Sequence, residues 1–203
     1  MRVIVIGATG TIGKAVVEAL ADRHEIVRAG RHSGDLQVDI ASKDSIERFY
    51  EAAGSFDALV SAAGDARFGP LETLTDEDFA FSLTNKLMGQ VNLVRAGLRH
   101  VRDQGSFTLT SGLLARYPAK GSAAITLVNA GLEGFARVAA LEAPRGVRVN
   151  VVTPTWVRET LEAMGRDGSG GLPAATVARA YVESVEGTRT GEILDVREFR
   201  DQR

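Results

Sequence analysis

The sequence predicts an α/β fold in which a parallel sheet is covered by helices on both faces. Two observations carry this prediction. Short β-branched runs alternate with helical segments along the chain, which is typical of strands joined by right-handed helical crossovers. The first run, RVIVI at 2–6, is apolar at nearly every position, as in a strand buried on both faces.

The predicted elements follow one another in strict alternation. Residues 12–21 have helical spacing of their apolar side chains, and Pro173 lies near the first turn of the last helix. Glycines at 164–171 predict a mobile loop. Strands are predicted at 2–6, 25–30, 36–40, 56–61, 106–112, 147–154 and 190–196. Helices are predicted at 12–21, 44–49, 76–102, 122–142 and 172–185.

The composition narrows the classes of function. With 203 residues we expect a single domain over 1–203. The net charge of −2 gives no electrostatic reason to expect binding to nucleic acid or to an anionic membrane surface, and no apolar run reaches the ~18 residues that span a bilayer. The absence of cysteine excludes disulfides and thiolate chemistry and fits a cytoplasmic protein. We expect no metal site, and we interpret the acidic run 76–78 as helix capping.

A glycine-rich turn, GATGTIG, lies directly between the first strand and the first helix. Glycine is needed there because the backbone turns tightly, a pyrophosphate approaches closely and the helix packs on the strand. The helix N-terminus then offers free N–H groups to the phosphates. The alternative is a purely structural turn. The candidate cofactor-binding residues of this turn are Gly7, Thr9, Gly10, Thr11, Ile12 and Gly13.

The turn after the second strand predicts which dinucleotide is bound. A fold that prefers NAD(H) usually places an acidic residue there, to hold the ribose 2′-hydroxyl. This chain has Arg31 and Ser33, and a guanidinium suits the 2′-phosphate of NADP(H). Arg31 could instead be a solvated surface residue, and Asp35 nearby argues for NAD(H). We predict NADP(H), with NAD(H) less favoured.

Further motifs resemble the short-chain dehydrogenase/reductase family over nearly the whole chain. The glycine turn resembles the family's cofactor turn, Asp39 and Ile40 resemble the pair that contacts adenine, and SAAG at 61–64 stands where the family has its turn beside the cofactor. Asn85 resembles the asparagine that holds a proton-relay water, and Ser111 the catalytic serine. The remaining matches are Ala62, Ala63 and Gly64 in that turn, Pro154 and Thr155 beside the nicotinamide in EAPRGVRVNVVTP, and the closing strand TGEILDV.

The resemblance implies a Rossmann-type three-layer α/β/α sandwich. Its doubly wound parallel sheet would have about seven strands in the order 3-2-1-4-5-6-7. It also implies a homodimer or homotetramer that buries two long helices against a partner. Ala130, Gly131 and Gly134 on the second of these helices would allow close approach. The alternative is that these small residues serve tight packing within one subunit.

Two family residues are missing from AAITLVNAGLEGF at 123–135. In the family a tyrosine gives a proton to the substrate, and a lysine one helical turn later holds the nicotinamide ribose. These positions fall on Ile125 and Asn129, and a shift by one residue gives Ala124 and Val128. Isoleucine cannot donate a proton, whereas Asn129 could still bind the ribose without a charge.

Tyr117, in ARYPAK after Ser111, is a candidate substitute for the missing acid. It could donate a proton from a new direction, or it could simply pack over the cleft while Lys120 is solvated. Pro118 argues against a helix there. The candidate catalytic residues are therefore Ser111, Asn85, Tyr117 and Asn129.

Three functions remain open on the sequence. The first is an NADP(H)-dependent oxidoreductase with a degenerate site, acting on a small carbonyl, an alcohol or an activated alkene. The second is a non-catalytic NADP(H)-binding sensor or partner-binding subunit, which the Ile125 and Asn129 pair favours. The third is a structural relic that has lost its cofactor, against which the glycine turn and Arg31 count.

Overall fold

A seven-stranded parallel sheet forms the centre of the computed structural model, which describes residues 1–200. The strand order is β3-β2-β1-β4-β5-β6-β7 and every neighbouring pair is parallel, as predicted. Residues 201–203 of the predicted domain lie outside the described residues. The strands are β1 (Arg2–Ile6), β2 (Glu25–Gly30), β3 (Leu36–Gln37), β4 (Phe56–Ser61), β5 (Val101–Thr110), β6 (Arg148–Thr153) and β7 (Ile193–Asp195).

Helices cover both faces of this sheet and create two apolar layers. One layer packs α2, α4 and α5 on the sheet, and the other packs α1 and α7 on the opposite face. The strands contribute to both layers, which explains why their sequences are apolar throughout. The helices are α1 (Thr11–Leu20), α2 (Lys43–Ala53), α3 (Asp76–Ser82), α4 (Gly89–Gly97), α5 (Ala123–Glu142), α6 (Arg158–Ala163) and α7 (Ala174–Glu186).

The predicted long helix over 76–102 is helical without a break from Asp76 to Gly97, but it is shorter than predicted and not α-helical throughout. A π-helical segment, Leu83–Met88, separates α3 from α4, and β5 already begins at Val101. The apolar pattern of the sequence predicts a helix here but does not give the hydrogen-bond pattern within it. The helix ends near Gly97, where an added Cβ would lie 2.5 Å from the Tyr50 hydroxyl.

Other boundaries also differ from the predicted ones. The third strand has only two residues, and α2 begins after Ser42, whose side chain accepts a hydrogen bond from the Ser45 N–H. Capping at 76–78 is confirmed, since Thr75 and Asp78 form a reciprocal capping box. The glycine stretch 164–171 contains a 3-10 turn, Gly168–Gly170, and is closed by a bridge between Val157 and Leu172.

Helix α5 is the one helix within residues 1–200 whose length and apolar composition would allow it to cross a membrane. A core helix passes the same test, and α5 lays Leu132 and Ala136 on the sheet. Two of its glycines differ in their surroundings. A Cβ on Gly131 would lie 3.1 Å from the Leu87 side chain of the same subunit, whereas a Cβ on Gly134 would meet nothing within 4 Å. Packing within one subunit therefore explains Gly131 but not Gly134.

Candidate active site

The glycine turn is built by close contacts between backbones. Gly7 has a φ of +82°, and a Cβ there would lie 2.5 Å from the Ala62 carbonyl oxygen at the end of β4. A Cβ on Gly13 would lie 2.0 Å from the Gly7 carbonyl oxygen, so α1 can pack on β1 only if this residue is glycine. Gly10 differs, because its nearest contact would be 3.3 Å away, and it leaves the N-terminus of α1 without a side-chain cap.

A first cleft of about 240 Å³ extends from this turn along the carboxyl edge of the sheet. The ends of β1, β2 and β4 meet here, as expected for a doubly wound sheet. Thr11, Ile12 and Gly13 form the first turn of α1, which follows the glycine turn. Ala62 directly follows β4 and precedes Ala63. The predicted cofactor residues that line the cleft are Gly7, Thr9, Arg31, Ile40, Ala63 and Gly64, together with Asn85.

The β2 turn presents hydroxyl groups and a guanidinium at the end of this cleft. The Thr9 and Ser33 hydroxyl oxygens are 3.3 Å apart. Arg31 is half exposed, and its Nε lies 3.9 Å from Oδ1 of Asp39. Asp35 points elsewhere, since its carboxylate accepts a hydrogen bond of 2.9 Å from the Arg28 N–H. Asp35, the acidic residue that favoured NAD(H) in the sequence, therefore stabilises the turn. Arg31 lines the cleft.

A second, mainly apolar cavity of about 360 Å³ lies beyond the ends of β5 and β6. It contains Ser111, and three aromatic side chains on loops form part of its lining: Phe68, Tyr117 and Trp156, which are 58%, 58% and 44% exposed. Aromatic side chains exposed to this extent around a cavity are typical of a site for an apolar ligand. The other predicted site residues in its wall are Asn129, Pro154 and Thr155, next to Ile125.

Ser111 belongs to a buried hydrogen-bond network that the sequence analysis missed. Its Oγ lies 2.8 Å from Oγ1 of Thr153 and 3.4 Å from Oε1 of Glu133. Thr153 donates to the same carboxylate oxygen at 3.2 Å. Arg116 Nε and Arg137 lie 3.4 Å and 4.0 Å from the other oxygen of Glu133, so the buried carboxylate is balanced by charge. An acidic residue on the apolar face of α5, one turn after Asn129, was the available signal.

Asn129 and Ile125 both face the second cavity from α5. Ile125 packs with Ala66 and Val128 in a small apolar cluster and closes one wall of the cavity. Asn129 is 2% exposed, and its Oδ1 accepts no hydrogen bond from any residue in 1–200. A buried amide oxygen without a partner costs free energy, which a donor on a bound ligand would recover.

Asn85 joins the π-helical segment to the turn after β4. Its Oδ1 accepts a hydrogen bond of 2.7 Å from the Asp65 N–H. The Ser82 hydroxyl accepts one of 2.9 Å from the Arg67 N–H nearby. Asn85 in the π-helical segment and Ser82 at the end of α3 therefore hold the loop that follows β4.

Tyr117 lies at the rim of the second cavity, on the loop after Ser111. Its backbone N–H donates to the Leu113 carbonyl, and the Arg197 guanidinium lies 5.0 Å from the centre of its ring. This position is compatible with both interpretations of Tyr117, as a substitute proton donor and as a side chain that packs over the cleft. Within the described residues, no group of three or more His, Asp or Glu side chains is arranged to hold a metal ion.

Comparison with known proteins identifies the family. A family model described as enoyl-(acyl carrier protein) reductase matches residues 1–194. The chain therefore belongs to this family, within the short-chain dehydrogenases/reductases, whose members bind a nicotinamide cofactor and act on small molecules.

Individual relatives agree with this assignment. The chain is 29% identical over 160 residues to hydroxynaphthalene reductase arp2 of Aspergillus fumigatus, covering 76% of this chain but only 56% of that protein. It is 27% identical over 192 residues to oxidoreductase UcpA of Escherichia coli, covering 90% and 72%. The crystal structure of lin1944 from Listeria innocua is 45% identical with a TM-score of 0.93, over 97% of this chain and 99% of that one. A small-chain dehydrogenase in complex with NADPH is 26% identical with a TM-score of 0.85, over 96% and 95%.

The residues present fit a nicotinamide dinucleotide. The N-terminus of α1 lacks a side-chain cap and is open beside Gly10, which suits a pyrophosphate. At the other end, the unpartnered Oδ1 of Asn129 suits a ribose hydroxyl. Gly7 and Thr9, in the same turn as Gly10, line the first cavity, and Asn129 lines the second.

Proposed function

We propose that this protein is an NADP(H)-dependent oxidoreductase that acts on a small apolar carbonyl compound, alcohol or activated alkene. The observation that carries the proposal is the succession of two cavities along the carboxyl edge of the sheet. The first joins the glycine turn to Arg31, and the second joins Ser111 to exposed aromatic side chains. The similarity to a dehydrogenase in complex with NADPH supports NADP(H) as the cofactor.

The bound cofactor would supply the hydride, and the chain would bind and orient it. Free N–H groups of α1 would hold the pyrophosphate, with Gly10 leaving room for it. Arg31 would pair with the 2′-phosphate beside the Thr9 and Ser33 hydroxyls. The remaining assigned contacts are Asp39 and Ile40 at the adenine, Ala62, Ala63 and Gly64 along the ribose, Asn129 at the nicotinamide ribose, and Pro154 and Thr155 at the nicotinamide.

Ser111 would orient the substrate from the wall of the second cavity. Glu133 and Thr153 fix the Ser111 hydroxyl, so its oxygen keeps one position toward the cavity. Ile125 supplies no proton, so a substrate that depends weakly on a general acid fits this site best. An activated alkene is such a substrate, and Tyr117 at the rim is the alternative proton donor.

The second candidate function is an NADP(H)-binding sensor or partner-binding subunit without turnover. Ile125 is the observation that favours it, because this side chain closes the cavity wall with apolar surface where a proton donor would be required. The two functions differ in turnover and not in cofactor binding.

We further propose a homodimer or homotetramer that uses the outer face of α5. Leu127, Val138 and Leu141 on this helix are large, apolar and exposed, and Gly134 is open to close approach. Sedimentation of the wild type and of Gly134→Arg tests this assembly. The variant should sediment as a smaller species, and an unchanged mass would refute the assigned face.

The first experiment is a titration of the protein with NADPH and with NADH, measured by calorimetry and by Trp156 fluorescence. Trp156 is the only tryptophan and lies in the second cavity, so it reports on the nicotinamide end. We expect NADPH to bind at least about tenfold more tightly than NADH. Failure of both to bind refutes both candidate functions. Binding followed by oxidation of NADPH with carbonyl or enone compounds, lost in Ser111→Ala, supports the oxidoreductase over the sensor.

A further inference from the structure

Lys86 is a buried cation that the proposed function does not use. It lies in the π-helical segment Leu83–Met88, and only 8% of the residue is exposed. Within residues 1–200 its ammonium group makes no hydrogen bond and no ion pair within 4.0 Å. Lysine is almost never buried without a partner, because burial removes the water that hydrates its ammonium group and this costs free energy. A π-helical segment is also a common feature of functional sites.

Lys86 lies beside residues that line the first cleft. Its side chain runs along Gly64, where an added Cβ would lie 3.1 Å from the Lys86 Cα and 3.2 Å from its Cγ. Gly64 and Asn85, the neighbours of Lys86 in space and in sequence, both line the first cleft. A dinucleotide that extends from the glycine turn toward Ser111 would lie along Gly64, and so near Lys86.

The same π-helical segment packs against α5, the helix that carries Asn129. The contact is close, since a Cβ on Gly131 would lie 3.1 Å from the Leu87 side chain. Two groups without hydrogen-bond partners in the described residues therefore come from neighbouring elements: the buried acceptor Asn129 Oδ1, and the ammonium of Lys86, whose side chain is largely buried. A ligand that carries hydroxyl or phosphate oxygens would satisfy both.

We propose that Lys86 is a cofactor-binding residue that provides, from the π-helical segment, the positive charge that α5 lacks at Asn129. Its ammonium would donate hydrogen bonds to the ribose-phosphate of the nicotinamide half of the dinucleotide. This inference rests on the proposed function, because it assumes that a dinucleotide occupies the cleft.

Protonation gives the inference a second observable. Burial lowers the pKa of Lys86 to about 8, and the negative charge of Asp65 partly opposes this shift. The ribose-phosphate favours the charged amine, so binding would raise the pKa of Lys86. The affinity for NADPH should therefore fall as the pH rises above about 8, because binding must then be accompanied by uptake of a proton.

The test compares Lys86→Met with Lys43→Met, an equal loss of charge at an exposed position on α2. Calorimetry with NADPH at pH 7 should show at least about a tenfold weaker affinity for Lys86→Met and no change for Lys43→Met. Between pH 7 and 9.5 the wild type should lose affinity, and Lys86→Met should not. Lys86→Arg keeps the charge and should retain more affinity than Lys86→Met, and circular dichroism confirms that each variant is folded.

The outcomes separate the inference from the function on which it rests. If the wild type binds NADPH and Lys86→Met binds it equally well with the same pH profile, the role of Lys86 is overturned while the proposed function stands. If the wild type binds no dinucleotide, both are overturned. Weaker binding by Lys86→Met together with loss of the pH dependence supports the assignment.

Discussion

The three glycines of GATGTIG have different physical tasks, and alanine substitutions should separate them. At Gly13 an added Cβ would lie 2.0 Å from the Gly7 carbonyl oxygen, about 1 Å inside the limit of real contacts. The obstacle is backbone, so α1 must move away from β1. At Gly10 the nearest atom would be 3.3 Å away and the φ of −76° is ordinary, so alanine fits the fold.

The expected stabilities follow from these contacts. Overpacking of a core costs about 1–3 kcal/mol, and a contact of this severity belongs at the upper end. Alanine regains about 1 kcal/mol of helix propensity at Gly13, which leaves a net loss of about 2 kcal/mol. For a chain of this size that loss corresponds to a fall in Tm of about 4–8 °C. Gly10→Ala replaces a tolerated N-cap residue by a poor one and should cost about 1 kcal/mol or less.

The expected affinities run in the opposite order. The methyl group of Gly10→Ala would enter the space that we assign to the pyrophosphate, so NADPH affinity should fall by at least about tenfold in a stable protein. Urea denaturation and calorimetry on the wild type and both variants measure the two quantities. Wild-type affinity in Gly10→Ala would refute the assigned phosphate site, and wild-type stability in Gly13→Ala would refute the packing argument.

Three further substitutions test other parts of the site and core. Arg31→Ala should weaken NADPH binding by at least about tenfold and leave NADH unchanged; an equal effect on both would contradict the 2′-phosphate assignment. Glu133→Gln should lower kcat by about tenfold because Ser111 loses its charged hydrogen-bond partner. The free energy of unfolding should change by less than about 1 kcal/mol. Unaltered turnover would show that the network is only structural. Tyr50→Phe should cost about 1 kcal/mol in urea denaturation, since the buried hydroxyl donates a 2.6 Å hydrogen bond to the Leu93 carbonyl, and no loss would contradict this.

The sheet was predictable because its signals are local. An apolar run indicates a buried parallel strand. The spacing of the glycines indicates the turn, because backbone contacts exclude a side chain at Gly7 and Gly13. The π-helical segment was not predictable, since the apolar pattern indicates a helix but does not give its hydrogen-bond register. The roles of Glu133 and Lys86 were not predicted either, because each is a single charged residue. A single charged residue within a helical pattern looks like part of a solvated face until its burial is known.

The site differs from the motif that it resembles in where its polar groups are anchored. Ile125 packs with Ala66 and Val128 and also lines the second cavity, so a tyrosine returned to this position would extend into the space that we assign to the substrate. With isoleucine here, the polar groups of this cleft come from other positions of the chain. Glu133 fixes Ser111 from two helical turns beyond Ile125, and Lys86 approaches from the π-helical segment. If turnover exists, it depends on polar groups held by these two neighbouring helices.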